Sequence, residues 1–590
     1  MNKLFLYLIA SFFILCTFQI SGQTLNETQG TGSGVSITSG DYNTMYGDST
    51  GTSLTTGSYN VFIGYLAGRY NTTSESVFIG YMAGYSNTTG FDNTFIGMEA
   101  GKSTTTGGDN TFFGAEAGEE NTTGYDNTFI GEEAGTLNTT GYENTFVGED
   151  AGQQNTTGYK NTFVGNEAGY FAGTGYRNTG IGDESLADVE LGHHNTGLGD
   201  SAGIDVNRGI YNTFVGAATG VATEYADYNT FIGARAGWDN NRTNSLTNAN
   251  RNTYVGFETG YTNREGEDNV GMGAYSDFDN NVRSRTTFIG AFATPSNNDV
   301  IMMGYSTFND GQYSVLIGNE SDNRGNYVVG IGHSHDIEST ATYSIGIGKD
   351  ADIDQAYATG VGSDVQITNV GGVALGATTV IGADNAIGIG REANVSGANS
   401  IALGYQSTVS TDNVVFIGNG SHTSIGGSVN WTATSDERLK KNIQEDVPGL
   451  DFIEGLRPVT YQFDEAKLKE ELGGASLDYS EKVNQVYSGF LAQEVESLAD
   501  AMGYNFSGLV KNTAHEGLYG IRYAEFVVPL VQAVKELNHK VSNQQDLIAS
   551  QEETIKKYEQ AFQQIEARLT LLENESSSKH TNGVVSKDQD

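Results

Sequence analysis

The feature that most constrains this chain is a glycine that closes an aliphatic-Gly step and returns at a fixed interval. In Asn127-Thr128-Phe129-Ile130-Gly131 it is Gly131. The same position recurs at Gly47, Gly64, Gly80, Gly97, Gly114, Gly148, Gly165, Gly182, Gly199, Gly216 and Gly233, seventeen residues apart in all but one step. A longer step leads to Gly256, Gly273 and Gly290. The interval then shortens to fourteen, with one step of sixteen, through Gly304, Gly318, Gly332, Gly348, Gly362, Gly376, Gly390, Gly404 and Gly418. A unit this short cannot bury a core alone and must stack on its neighbours. The 79 glycines therefore signal a repeating architecture rather than a disordered chain.

Within the units, apolar residues alternate. Ile130, Val164, Ile317, Ile347 and Leu375 precede the glycine, and Ile345, Val373, Ile387, Ile401 and Val415 stand two residues before that position in the short units. A period of two means strand. The residue between is Phe95, Phe129 or Phe163 in long units and Gly346, Ala374, Gly388 or Ala402 in short ones. One face is thus expected to be aliphatic and the other to change from aromatic to small. Asn-Thr-Thr-Gly segments, such as Asn121 to Gly124, supply turn chemistry. A fourteen-residue unit has room for two strands of four or five residues. Stacked at the strand spacing, the coils would form a rod about 110 Å long. Small residues on the second face would let another chain approach, which predicts homotrimerisation along the rod. The expected fold is mainly β: a parallel β-roll, or β-solenoid, over residues 41–430.

Charge excludes several partners. The formal net charge is -41, and between residues 24 and 430 the only lysines are Lys102, Lys160 and Lys349. Nucleic acid and anionic lipid both require basic patches, so neither is an expected partner. At the N-terminus Lys3 precedes an apolar run from Leu4 to Phe18 and then Ile20-Ser21-Gly22-Gln23, the grammar of a secretory signal peptide over residues 1–22. The run is too short for a membrane span. Leu15 stands before Cys16 where a lipoprotein signal wants a small residue, so no lipid anchor is expected. A mature chain without cysteine or membrane span, secreted or held at a cell surface, must draw stability from a long repetitive core or from oligomerisation. Residues 23–40 read as an N-terminal segment.

The short units Ser344-Ile-Gly-Ile-Gly348, Ala386-Ile-Gly-Ile-Gly390 and Ser400-Ile-Ala-Leu-Gly404 resemble the head repeats of trimeric autotransporter adhesins. That resemblance implies left-handed parallel β-rolls in a trimer. It covers roughly residues 300 to 420; the seventeen-residue units depart from it by about three residues each. The membrane anchor of those adhesins is expected to be missing, because the chain ends in a polar tail over residues 576–590.

A second resemblance rests on four blocks in order: Thr434-Ser435-Asp436-Glu437-Arg438-Leu439-Lys440-Lys441-Asn442-Ile443, Leu456-Arg457-Pro458-Val459, Gly489-Phe490-Leu491-Ala492-Gln493-Glu494-Val495, and Tyr523-Ala524-Glu525-Phe526-Val527-Val528-Pro529-Leu530. They are similar to the intramolecular chaperone domain of phage endosialidases and tail spikes, here over residues 434–541. The resemblance implies a small α+β domain that trimerises, templates folding of the upstream fibre and cleaves itself off. It also implies a catalytic dyad of Ser435 and Lys440 and a scissile bond between Thr434 and Ser435, making the chain a single-turnover autocatalytic serine endopeptidase acting in cis.

The chemistry supports such a pair. A serine hydroxyl is a weak nucleophile until a nearby base removes its proton. A lysine amine, ordinarily protonated up to about pH 10.4, serves as that base only where desolvation or neighbouring cations favour its neutral form. Such a site exists only after folding, which would gate cleavage on assembly. Arg438 and Lys441 are candidate sources of cationic pressure. The same residues also have a plain structural reading, since Ser-Asp-Glu is a good helix N-cap. On a continuous helix a five-residue offset turns two side chains about 140° apart, so a dyad requires a bend or extended chain.

Downstream, Leu530, Val534, Leu537, Val541, Gln544, Ile548, Gln551, Ile555, Tyr558, Phe562, Ile565, Leu569 and Leu572 alternate spacings of four and three, predicting a coiled coil over residues 530–575. The seam alone allows a dimer; the trimer rests on the family and the rod. Asn-Thr-Thr triplets match the glycosylation sequon but are explained by turns. Glu132-Glu133 and Glu149-Asp150 are weak calcium candidates, and no metal or other cofactor is expected. The candidate binding loop is Trp238 to Arg251, where Trp238 stands beside Asp239, Asn240 and Arg242; an irregular loop with no ligand is the alternative. The expected function is a trimeric fibre or adhesin-like protein matured by one autoproteolytic event, its surface or glycan ligand unknown. The alternatives are a glycan-binding or glycan-degrading tail-spike-like protein and a repetitive ice- or mineral-binding surface. Glycan hydrolysis would need a carboxylate pair in a groove, and coils of either length, short and poor in insertions, are expected to offer none.

Overall fold

The computed structural model describes residues 25–471, 479–511 and 517–580. The expected signal peptide lies outside them. The chain divides into two compact units, Met1–Ala393 and Asn394–Asp590.

In the first unit each long coil contributes one three-residue strand, as in Thr94–Ile96, Thr111–Phe113, Thr128–Ile130 and Thr145–Val147. These pair in parallel, with Phe95, Phe112, Phe129 and Phe146 in register. A pairing offset equal to the repeat sets identical residues side by side. The phenylalanines are fully buried and stack at 4.7 Å between centroids, with planes within 9°. That distance is the strand spacing itself, so sheet pairing and ring stacking reinforce each other.

The other buried columns are polar. Asn127 Oδ1 accepts from the backbone N–H of Asn144 at 3.0 Å and from its Nδ2 at 3.1 Å, while Asn144 Nδ2 also donates to the Gly158 carbonyl at 2.9 Å. A second column uses the Asn-Thr-Thr-Gly segments: Asn138 Nδ2 donates to Asn121 Oδ1 at 2.9 Å and to the Gly141 carbonyl at 3.2 Å. Each of these coils thereby supplies donors and acceptors to the turns of the next, as buried polar groups require. The periodic glycine has a steric cause. Gly131 sits at φ 141°, and a Cβ there would lie 2.1 Å from the Gly148 carbonyl oxygen.

The short coils add a second parallel sheet, with strands such as Asp336–Ile337, Asp352–Ile353, Gln366–Ile367 and Val380–Ile381. Most combine a three-residue strand with this two-residue one, shorter than the four or five residues expected. The assignment of faces is also corrected. The residue between the two aliphatics points inward: Ala374 is fully buried, as are Gly346 and Gly360. Small residues stand there because the second strand fills the space; a Cβ on Gly346 would lie 3.1 Å from Ile353 Cδ1. The aliphatic residues face outward instead, with Ile301 45%, Met303 39% and Ile345 38% exposed. Small residues therefore serve the interior of the coil and offer no close approach to another chain.

The second unit opens with coils of the short kind, Asn394–Val395 paired with Thr408–Val409 and Ile401–Leu403 with Val415–Ile417. An exposed stretch through residue 446 follows. A small α+β region then packs Phe452, Val495, Ala499, Phe506 and Phe526 into a core, with Phe490, Leu498 and Ile521 against it. Its antiparallel pairs are Val459–Tyr461 with Tyr487–Gly489, and Leu509–Val510 with Gly520–Ile521. The last element is a 54-residue helix, Val527–His580. It runs through Ser576, into the segment expected to be a tail; residues 581–590 lie outside the described chain. Among the described residues no helix is long and apolar enough to cross a membrane.

Candidate functional site

Three of the four sequence blocks converge in the α+β region. Arg457 Nε donates to Glu494 Oε2 at 3.0 Å. The Tyr523 hydroxyl accepts from the backbone N–H of Phe490 at 3.2 Å, and Phe490 stacks on Phe526 at 5.1 Å. Glu536 on the long helix accepts from the backbone N–H of Leu450 at 2.7 Å, capping the Leu450–Gly455 helix. That contact and the bond from Gln532 hold its carboxyl below the ordinary glutamate range.

The remaining block carries the Ser435–Lys440 pair. Glu437–Leu439 form one 3-10 turn, entered from extended Asp436 (φ -71°, ψ 130°) and left through extended Lys440 (φ -107°, ψ 142°). Residues on either side of a single tight turn fold back towards one another, which meets the requirement for a bend. Lys440 Nζ lies 2.8 Å from Ser435 Oγ. Asp436 caps the turn by accepting from the backbone N–H of Arg438 at 2.9 Å, and the Arg438 guanidinium closes back on the same carboxylate at 2.6 Å. The Arg438 side chain and N–H hold the Asp436 carboxyl below its usual range. Arg438 is thus engaged by Asp436, with its charge compensated there. Ser435 and Lys440 are both exposed, and Trp431, Leu439 and Ile443 around them are 88%, 74% and 66% exposed. Ser435 stands beside the expected scissile bond, since the Thr434 carbonyl belongs to the peptide bond on its own nitrogen.

The structure divides the Trp238 loop in two. Asp239 and Asn240 are buried anchors. Asp239 pairs with Arg242 at 2.8 Å and Arg264 at 3.1 Å, while Asn240 Nδ2 donates to the Ala249 carbonyl at 3.1 Å and Asn240 Oδ1 accepts from Asn252 and Asn263, each at 3.2 Å. Trp238 and Arg242 line a groove of ≈ 870 Å³, to whose wall Asp239 also contributes. The expectation that the coils offer no groove is therefore corrected. Coils between residues 170 and 226 lack Asn-Thr-Thr-Gly and replace its turn with short parallel bridges, Phe171 to Asp188, Asp188 to Asp205 and Asp205 to Ala222. Sequence reasoning passed over Asp188 and Asp205. The loss of Asn-Thr-Thr-Gly in successive coils was the available signal.

The other candidates have structural partners. The sequon asparagines Asn121, Asn138 and Asn155 are fully buried. In the acidic column, Gln153 Nε2 donates to Glu133 and Asp150, each at 2.6 Å. Among the described residues no three His, Cys, Asp or Glu side chains gather to hold a metal ion.

Comparison with known families returned two matches. Residues 435–504 match the Peptidase S74 family, described as the chaperone of endosialidase. Residues 382–407 and 396–421 match two copies of the YadA head domain repeat. No curated protein matched the chain. The chain thus joins adhesin head-type repeats to a C-terminal region similar to the endosialidase chaperone of the S74 peptidases.

Proposed function

We propose that this chain is a secreted, homotrimeric fibre or adhesin-like protein of a bacterial surface whose C-terminal domain acts as an intramolecular chaperone and releases itself before Ser435. The observation that carries the processing step is the 2.8 Å approach of Lys440 Nζ to Ser435 Oγ across one 3-10 turn. Neutral Lys440 takes the hydroxyl proton as Oγ attacks the Thr434 carbonyl carbon. The tetrahedral intermediate collapses with loss of the Thr434–Ser435 C–N bond, and the lysine returns the proton to the departing α-amine of Ser435. Water then hydrolyses the ester, leaving a Thr434 carboxylate and a free Ser435 hydroxyl.

Two exposed apolar surfaces support self-association. The outward aliphatics of the short coils form one. The seam of the long helix forms the other, with Val534 63%, Leu537 49%, Ile548 53%, Phe562 65% and Leu569 54% exposed. A lone helix of such length presenting an unbroken four-three seam to water is the condition a coiled coil relieves. Assembly also supplies what the dyad needs. Packing of further copies would desolvate the exposed Ser435–Lys440 turn and favour the neutral amine, so cleavage follows trimer formation.

The test is denaturing electrophoresis with intact mass and N-terminal sequencing of the full chain, beside Ser435→Ala and Lys440→Ala. A wild-type fragment beginning at Ser435, with both variants whole, is expected. Wild type that stays intact as a folded trimer would make the domain a retained chaperone and remove the catalytic assignment.

A further inference from the structure

One row of residues runs through the groove beside Trp238. Phe171, Asp188, Asp205 and Ala222 are bridged in register across four successive coils, and the backbone N–H of Ala222 donates to the Trp238 carbonyl at 3.1 Å, bringing in the next. The row therefore begins and ends on an aromatic side chain, about 19 Å apart at the strand spacing. Phe171 is 46% exposed, and Trp238 is steadied by stacking on Tyr261 at 5.8 Å. Between these two rings lie the carboxylates.

The groove is unbalanced electrostatically. Its lining holds six carboxylates and one guanidinium, Arg242; Asp239 is paired with that guanidinium and with Arg264, so the surplus negative charge is that of the other five. Asp205 Oδ1 and the neighbouring Glu224 Oε2 are buried without a hydrogen-bond partner, and a buried acceptor left unpaired is costly. Burial, with Glu224 and Asp188 nearby, pushes the Asp205 carboxyl up to about 6. Around Asp205 the groove is short of hydrogen-bond donors, and Asp205 stands in a line flanked by two ring surfaces.

We infer that this groove binds a linear glycan of neutral or amino-bearing sugars, laid along the coils with Phe171 and Trp238 against its C–H faces and Asp188 and Asp205 accepting from its hydroxyl or ammonium groups. A sugar chain presents both chemistries at once, apolar faces and a row of donors, as concave ligand sites with few placed polar groups require. An ammonium substituent adds attraction to the aromatic rings and to the surplus negative charge. Uronate or sialate polymers meet repulsion there. The inference concerns the first compact unit alone, so it stands or falls independently of cleavage at Ser435.

The experiment is calorimetric titration of the full chain with a glucosamine hexamer, its N-acetylated counterpart, polygalacturonate and oligolysine. The glucosamine hexamer is expected to bind most tightly, the acetylated one more weakly and polygalacturonate not at all. Phe171→Ala and Trp238→Ala should each weaken the hexamers at least tenfold. Asp205→Asn should weaken the glucosamine hexamer more than the acetylated one. Because Phe171 is exposed, its variant should melt with the wild type, which separates lost binding from lost folding. Silence with both hexamers, equal or tighter binding of polygalacturonate, oligolysine matching the glucosamine hexamer, or affinity unchanged in Phe171→Ala would each overturn the assignment.

Discussion

The long and short coils solve one packing problem in opposite ways. Most long coils have a single strand, and the interior is filled from that side by a phenylalanine such as Phe129, the far side being turns held by buried asparagines. A short coil has two strands. Its first contributes Gly346 or Ala374 and its second contributes Ile353 or Ile367, so the bulk comes from across the interior. Interiors are packed close to crystal density, so a large residue on one wall obliges a small residue or a turn on the other. The three extra residues of the long coil go into the turns, where they replace a two-residue strand.

The largest effect is expected from Gly131→Ala, which breaks what the two coil types share. Its Cβ would overlap the Gly148 carbonyl, at a φ that L side chains rarely adopt, so local unfolding of the flanking coils should appear by hydrogen exchange. Protection equal to wild type would show that the coil spacing tolerates a methyl group. Next, Phe129→Ala should cost about 3–5 kcal/mol in a denaturant titration, because no opposing strand can fill the hole. The mirror change, Gly346→Leu, should cost about 1–3 kcal/mol by overpacking against Ile353 and recover part of that in Gly346→Leu/Ile353→Ala. Additive losses in the double variant would refute the exchange of bulk between walls. Asn127→Ala should cost about 1–3 kcal/mol, because it strands the backbone N–H and one side-chain amide hydrogen of Asn144; a smaller loss would mean that water replaces the column.

The mildest contrast is in pH. In the long coils, burial raises the carboxyls of Asp205 and Asp277, each to about 6. A raised carboxyl opposes folding at neutral pH, and that opposition is relieved as pH falls through about 6 towards the unfolded value near 3.8. In the short coils, burial likewise raises Asp352 to about 6 but lowers His335, a residue only 2% exposed. A lowered histidine stabilises above its unfolded value near 6.5, and that contribution is lost as pH falls below it. Hydrogen exchange at pH 7 and pH 5 should therefore show protection rising around Asp205 and Asp277 and rising less, or falling, around His335. In His335→Leu the difference between the two regions should vanish. Its persistence would place the acid response elsewhere.

Much of this was legible in the residues. The interval of the glycines sets the coil, the alternation in Ile345-Gly-Ile347 sets a strand, and the four-three spacing from Leu530 sets a long helix. The blocks at Arg457, Phe490 and Tyr523 meet as a module would. The groove was less legible, because it arises where coils depart from the repeat, and Asp188 and Asp205 become neighbours only when residues seventeen apart are bridged in register. The loop at Trp238 was visible as an interruption, but nothing local distinguished Asn240, which only holds it, from Trp238, Asp239 and Arg242, which line the groove.

By itself the sequence determined the repeat length, the strand before each periodic glycine, the turn segments and the Ser435–Lys440 spacing, because each depends on spacing along the chain and on local backbone chemistry. Only the tertiary structure decided which face of each strand is interior. Alternation shows that two faces exist, but in Ile345-Gly346-Ile347 both choices are apolar. The deciding term is the volume left by the opposite wall, and residues distant in sequence supply that wall. The same holds for Ser435 and Lys440, whose five-residue separation becomes 2.8 Å only because one tight turn, flanked by extended residues, stands where a helix would have turned them apart.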